Sequence, residues 1–375
     1  MFTRSLAAVL LHFATAAWLA LTLQVPEPAG KQTEGVPALL DKAVQDLVKM
    51  QEDGGQWPYE GVYRVKGELP VGYRVGGTSV VGATLLHAAP KDKSVKAALD
   101  KALAFVLKEL EDPLMVPRTE EGYDVRVWGH ACALEFLCYM RAAKLTGDRG
   151  KDVDIWIKKM VDALVTEEIP GGGWNYATRR APASFVTAPV TQALLVAQGQ
   201  GEKIPAEIFE RARKSLEDAR YDSGGYAYSG KSKGKDDGKV LPGSVARSAV
   251  CETTLILLGG GNVENVQKAV DAFHTHWEEL EKRRQKTGTH VAPYMVAPYY
   301  FYYGHRYCAQ AIQMLPEKDR TAEREKLLKL VMKVRDKDGT WNDRVFERSR
   351  NYGTAMVTLI LLNDGAPLPP RWEKR

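Results

Sequence analysis

Three residues with ligand or nucleophile chemistry, His130, Cys251 and Cys308, fall at equivalent positions of apolar, helix-like segments. Aligned without gaps on Leu85, Leu134, Leu194, Leu255, Ile312 and Leu359, the segments place Val81, His130, Val190, Cys251, Cys308 and Ala355 in one layer. Four residues earlier stand Gly77, Arg126, Val186, Arg247, Gly304 and Asn351. Residues four apart share a helix face, so Arg126 sits by His130 and Arg247 by Cys251. An arginine beside a thiol favours thiolate, the form that attacks and that ligates metal. His130 with two thiols offers three ligands to Zn²⁺ and leaves one position open. Packing as small polarisable core residues is the competing reading.

A second concentration surrounds His305 and Arg306: Tyr294, Tyr299, Tyr300, Phe301, Tyr302, Tyr303 and Tyr307. Each buried phenol needs a hydrogen-bond partner, so the cluster suits the mouth of a cavity. There the rings stabilise a cation, stack on a sugar or face a lipid chain. An aromatic belt against a neighbouring loop is the alternative. Glu135, Glu252, Arg350 and Tyr352 are further polar residues in apolar segments, costly to bury alone. The acid–base candidates are His130, His305 and Glu252. The expected cavity lining is Arg126, Arg247, Cys251, Tyr299, Tyr300, Tyr303, Arg306, Cys308, Arg350 and Tyr352.

The elements that must position these residues follow from a recurring turn. It reads Gly54-Gly55-Gln56-Trp57, Gly171-Gly172-Gly173-Trp174, Ser223-Gly224-Gly225-Tyr226 and Asp338-Gly339-Thr340-Trp341. The gaps of 117, 52 and 115 residues between the aromatic positions fit one period near 52–59, with a degenerate repeat inside each long gap. Each repeat pairs an amphipathic segment with a more apolar one. The first set is 37–49, 95–110, 152–166, 206–218, 263–282 and 320–333; the second is 78–88, 127–142, 187–198, 244–258, 300–313 and 352–362. The second set is poor in Lys and Glu and is expected to be buried on most faces. Strand alternation is nearly absent. The reading is an all-α chain, an α/α toroid (α6/α6 barrel) of six helical hairpins over residues 36–366, with a tail at 367–375. An open solenoid is the architectural alternative. In the turn, glycine supplies positive φ and the Trp or Tyr packs beneath the neighbouring hairpin.

The chain has 375 residues, 45% of them hydrophobic, enough for a large core, and its net charge of +5 is spread along the sequence. The basic run Lys231-Ser232-Lys233-Gly234-Lys235 is followed by Asp236 and Asp237, a solvated loop rather than a nucleic-acid patch. From Ser5 to Leu23 there is no acidic or basic side chain, and His12 is the one titratable residue. With Arg4 before it, this reads as a signal peptide or membrane anchor over residues 1–24, followed by a linker at 25–35. The expected location is therefore exported: periplasmic, extracellular or anchored at the inner membrane. Cys132 and Cys138 lie about 9 Å apart on one helix, too far to bridge. A Cys251–Cys308 bridge is geometrically conceivable.

The segment Gln51-Glu52-Asp53-Gly54-Gly55-Gln56-Trp57 resembles the QW motif of squalene and hopene cyclases, and the repeats past residue 36 resemble the terpenoid cyclase and protein prenyltransferase β-subunit superfamily. Only the first copy keeps the glutamine; Glu168 and Arg335 take its place before Trp174 and Trp341. The resemblance implies a toroid with a central cavity for a small apolar, isoprenoid-like ligand. The Asp-x-Asp-Asp acid of class II cyclases is missing; Asp152-Val153-Asp154-Ile155 lacks the last aspartate and lies on an expected outer helix. Against the zinc site of prenyltransferase β-subunits, Cys251 and His305 match, and Ala249 replaces the aspartate. Cys251, His305 and Cys308 are the zinc candidates; otherwise no cofactor is expected. Three functions remain: an apolar-ligand toroid with acid–base chemistry, a non-catalytic scaffold, and a polysaccharide-active toroid. A deep apolar chamber favours the first, a filled centre the second, an open charged groove the third.

Overall fold

In a computed structural model, residues 35–61, 67–118, 120, 125–176, 179–233, 235–362 and 365–373 are described. The expected signal or anchor and its linker lie outside them, apart from Gly35. Residues 36–375 cluster as one compact unit. Six hairpins follow in chain order: α1 (Val36–Lys49) with α2 (Val71–Ala88), α3 (Lys93–Glu109) with α4 (Arg126–Ala142), and α5 (Gly150–Thr166) with α6 (Ser184–Gly199). Then come α7 (Ala206–Ala219) with α8 (Val240–Leu257), α9 (Val263–Thr275) and the short α10 (Trp277–Glu281) with α11 (Tyr300–Ile312), and α12 (Glu317–Lys333) with α13 (Arg350–Leu361).

The odd member of each pair buries one stripe. In α7 the stripe is Ile208, Phe209, Ala212, Leu216 and Ala219, at helical spacing. The inner member is buried nearly all round; in α8 every residue from Pro242 to Leu257 is buried. By length and composition α8 could cross a membrane, but 89% of it is covered inside the ring. It is a core helix.

The ring is closed, which excludes the open solenoid. The last inner helix, α13, packs on α1 and α2. Asn351 Nδ2 donates to Pro58 O at 3.0 Å and Ser349 Oγ to Glu60 O at 2.8 Å. Arg348 clasps Glu52 through two bonds of 2.7 and 2.6 Å.

Four copies of one turn hold the hairpins in register. Gly55, Gly172, Gly224 and Gly339 donate to the carbonyls of Glu52, Ile169, Tyr221 and Asp336, three residues back. Gly55 has φ 91°, and a Cβ there would stand 2.6 Å from the carbonyl oxygen of Lys101 on α3. Both the backbone sign and the close approach require glycine. The aromatic residue then enters between the rings. The indoles of Trp57, Trp174 and Trp341 donate to Leu47, Leu164 and Val331, and their amides to hydroxyls of Thr78, Thr187 and Thr354.

Two departures from the sequence reading are the largest. Helix α2 begins at Val71, so the helix-weakening pair Gly76-Gly77 lies inside it. Gly76 makes room for a ring: a Cβ there would stand 2.3 Å from Cζ3 of Trp128. The run expected as one helix at 263–282 breaks at His276, where Trp277 turns inward and donates Nε1–H to His305 Nε2 at 2.8 Å. Residues of the expected tail are also seated: Trp372 N donates to Leu257 O at 2.8 Å.

Candidate functional site

The inner helices leave a cavity along the ring axis. Its upper part, about 290 Å³, opens where these helices begin. Nine of its thirteen lining residues are Tyr, Trp or Phe, and none is Asp, Glu, Lys or Arg. Below it lies a smaller compartment of about 50 Å³. The two share Trp128, Phe185, Val186, Tyr303 and Tyr352 as common wall. On α4 the cavity-facing side chains are Trp128, Cys132, Glu135 and Tyr139, spaced by four, three and four as a helical stripe. Helix α13 contributes Tyr352, Met356 and Leu359 in the same manner.

Among the described residues, none from α8 lines either part. Helices α6 and α11 meet in front of it: Tyr303 Oη donates to Phe185 O at 2.8 Å, and Gln192 and Gln310 exchange bonds of 2.9 and 3.0 Å.

Two positions past each turn aromatic stand Tyr59 and Tyr176, which line the chamber, and Tyr228 and Asp343, which stand behind its wall. Tyr59 stacks on Tyr352 with ring centres 4.0 Å apart, and Tyr176 and Tyr228 share a hydrogen bond of 2.8 Å between their hydroxyls. Asp343 sits behind the wall and accepts from Tyr59 Oη at 3.1 Å through Oδ2. It is fully buried and its Oδ1 lacks a protein partner. Burial pushes its carboxyl up to about 7, with Arg344 opposing. Sequence reasoning missed all four, along with Tyr73, Trp128 and Phe185. The signal was present: the turn that fixes each aromatic residue also fixes the residue two beyond it.

The sequence-derived candidates divide. Tyr299, Tyr300, Tyr303 and Tyr352 line the upper chamber, and Arg306 lines the lower one. His130, His305 and Glu252 do not reach the axis; they lie between the rings or at the outer side. His130 is fully buried, with Nδ1 2.9 Å from Glu167 and Nε2 2.9 Å from Met115 O. It stands two residues from Trp128, and about 100° per residue turns it to the far side of α4. His305 is held by Trp277 and by Phe301 O at 2.7 Å. Glu252 accepts from Tyr226 Oη at 2.8 Å and faces an outer crevice beside Arg220 and Lys268.

Two of the arginines expected on the axis, Arg126 and Arg247, act as backbone clamps. Arg126 donates to Val116 O at 2.7 Å, and Arg247 to Tyr226 O and Gly243 O. Arg350 pairs with Asp338 and Glu347 at the surface. Cys251 and Cys308 are buried free thiols, so the conceivable bridge is not formed. Burial, then Glu252, pushes the Cys251 thiol far up, and Arg247 does not offset it, so no thiolate forms. Cys251 Sγ faces Ser184 O, Cys308 is packed in the apolar core of the fifth and sixth hairpins, and His305 faces Trp277. These three zinc candidates thus point to different partners. Among the described residues no group of three His, Cys, Asp or Glu side chains converges on a metal position.

The upper chamber is therefore neutral and π-rich. Burial pushes the phenols of Tyr59, Tyr299, Tyr303 and Tyr352 well above their usual range, so they remain protonated. Burial, helped by Arg247, holds His290 below its ordinary value. Most phenol oxygens are engaged within the wall: Tyr59 on Asp343, Tyr303 on Phe185 and Tyr299 on His290 at 3.1 Å. The wall presents mainly aromatic side chains to the cavity.

Solved structures share this closed ring of helical hairpins. The fold is an α/α toroid. The α-1,6-mannanase GH76A of Salegentibacter sp. HEL1_6 superposes with TM-score 0.59 at 12% identity, covering 87% of this chain and 99% of that one. The type II terpene cyclase MstE from Scytonema gives 0.54 at 14% identity, covering 87% and 96%. The unsaturated glucuronyl hydrolase of Bacillus sp. GL1 gives 0.56 at 12% identity, covering 90% and 97%. These likenesses are ones of fold, shared by terpene- and glycan-active enzymes alike. No family model and no curated protein matches the sequence.

Proposed function

We propose that this toroid binds a small, largely apolar, isoprenoid-like ligand in the aromatic chamber, and that residues 5–23 carry the chain to or across a membrane. The carrying observation is the chamber lining, nine aromatic residues of thirteen with no charged side chain. A glycan would need many polar partners for its hydroxyls, and four of the seven phenol oxygens lining the chamber are already bonded within the wall. An apolar body instead gains by leaving water and by contact with ring faces, which also stabilise any positive charge it carries. The uncharged run at 5–23 motivates the membrane part of the reading.

The test is a titration of the purified protein with farnesene and, separately, with α-1,6-linked mannotriose. Saturable binding of the hydrocarbon is expected, weakened roughly 10- to 100-fold by Trp128→Ala, because a central aromatic anchor contributes about 2 kcal/mol or more. Preference for the oligosaccharide, or hydrocarbon binding indifferent to Trp128→Ala, would refute the proposal. For residues 5–23, membrane fractionation and N-terminal sequencing of the natively expressed protein are decisive; an intact, cytosolic chain rejects that part.

A further inference from the structure

Beneath the aromatic chamber, the axis narrows to the compartment of about 50 Å³. Its acidic and basic groups, Glu135 and Arg306, come from helices of the second and fifth hairpins, on opposite sides of the ring. Helix α4 supplies Glu135 and Tyr139, and α11 supplies Arg306 and Tyr307. Arg306 Nη2 and Glu135 Oε1 stop 3.7 Å apart, beyond hydrogen-bond reach. A single small group between them could bond to both. Tyr139 Oη donates to Glu135 at 3.2 Å, which fixes the carboxylate, and the Arg306 guanidinium lies 4.4 Å over the ring of Tyr307.

The charges cancel. His87 of α2, which also lines the compartment, is held down to about 4 by burial and then by Arg306, so it is neutral near pH 7. The compartment thus offers one strong donor and one strong acceptor side by side, with no net charge. Its size sets a second limit. One water needs about 10–15 Å³ on this measure, so the compartment takes a group of a few heavy atoms. A diphosphate is too large and leaves its charge uncompensated.

We propose that this compartment receives the head group of the chamber's ligand, and that the head is a neutral hydroxyl that donates to Glu135 and accepts from Arg306. The inference rests on the apolar-ligand reading of the chamber and names the ligand class within it: an amphiphilic alcohol, not an acid or a diphosphate ester. A carboxylate head would gain Arg306 but would stand against Glu135 in a low-dielectric pocket, a repulsion that selects against it.

The experiment compares three probes with one apolar body, farnesol, farnesoate and farnesene, in calorimetric or fluorescence titrations at pH 7. The intact protein is expected to bind the alcohol about 10-fold more tightly than either other probe, the increment of one well-placed polar pair. Glu135→Gln leaves Arg306 uncompensated and is expected to invert the order, carboxylate over alcohol, with farnesene unchanged. Arg306→Met is expected to erase the alcohol's advantage over farnesene, and circular dichroism confirms that each variant is folded. Equal binding of all three probes, or an unchanged order in Glu135→Gln, overturns the hydroxyl inference while leaving the chamber reading intact. Absence of binding by all three removes both.

Discussion

The space between the helix rings and the space along their axis are both buried and both rich in polar and aromatic side chains, yet they do opposite things. Between the rings, ligand-type residues end on protein partners: His130 on Glu167 and Met115 O, His305 on Trp277 and Phe301 O, Glu252 on Tyr226. Along the axis, aromatic side chains and the Arg306–Glu135 pair border open space. The comparison teaches that chemical residue type does not mark a site here. What marks it is a polar or aromatic surface that the protein itself leaves uncovered.

That contrast predicts which substitutions cost stability and which cost binding. His130→Ala removes the hydrogen-bond partner of buried Glu167 and leaves a cavity, and is expected to destabilise by roughly 2–4 kcal/mol in denaturant melts, with ligand affinity unchanged. A loss below about 1 kcal/mol, or a loss of binding, would erase the distinction between the two regions.

Asp343 belongs to neither region fully, since it lies behind the chamber wall. Its folded carboxyl keeps its proton to about pH 7, against an ordinary value of 3.8. Between those values the unfolded chain has lost the proton and the folded chain has not, so stability falls as pH rises. Asp343→Asn removes that slope. Thermal melts should show the variant gaining on the parent from pH 4 to pH 7, by at most about 4 kcal/mol, with no gain at pH 4. A constant difference across this range would mean that Asp343 ionises normally.

Tyr303→Phe deletes the bond to Phe185 O that closes the seam in front of α8. The expected loss is about 1 kcal/mol, with the ring face and hence ligand affinity retained. A many-fold loss of binding would show that the phenol oxygen, rather than the ring, meets the ligand.

Much of this was legible in sequence. The turn glycines and aromatics marked the period, and amphipathic segments such as α7 declared themselves by their stripes. The Tyr299–Arg306 cluster stood out because so many phenols are costly to bury. The side of α4 that faces the axis did not stand out. That helix is apolar on most faces, so its periodicity did not choose between the side of His130 and the side of Trp128. Aligning the repeats on their leucines put His130 in register with Cys251 and Cys308, whose side chains are buried against protein, although Val190 and Leu359 of the same alignment do line the lower compartment.

The sequence by itself determined six helical hairpins, their order and the turns between them, because helical period and glycine geometry are local. Only the tertiary structure decided that the ring closes through Asn351, Ser349 and Arg348, and that α6 and α11 shut α8 away from the axis. It alone brought Arg306 to within 3.7 Å of Glu135. The physical reason is one of range. These contacts join residues 118 to 296 positions apart or on opposite helices, and no local propensity encodes which face of an all-apolar helix will meet a neighbour and which will meet empty space.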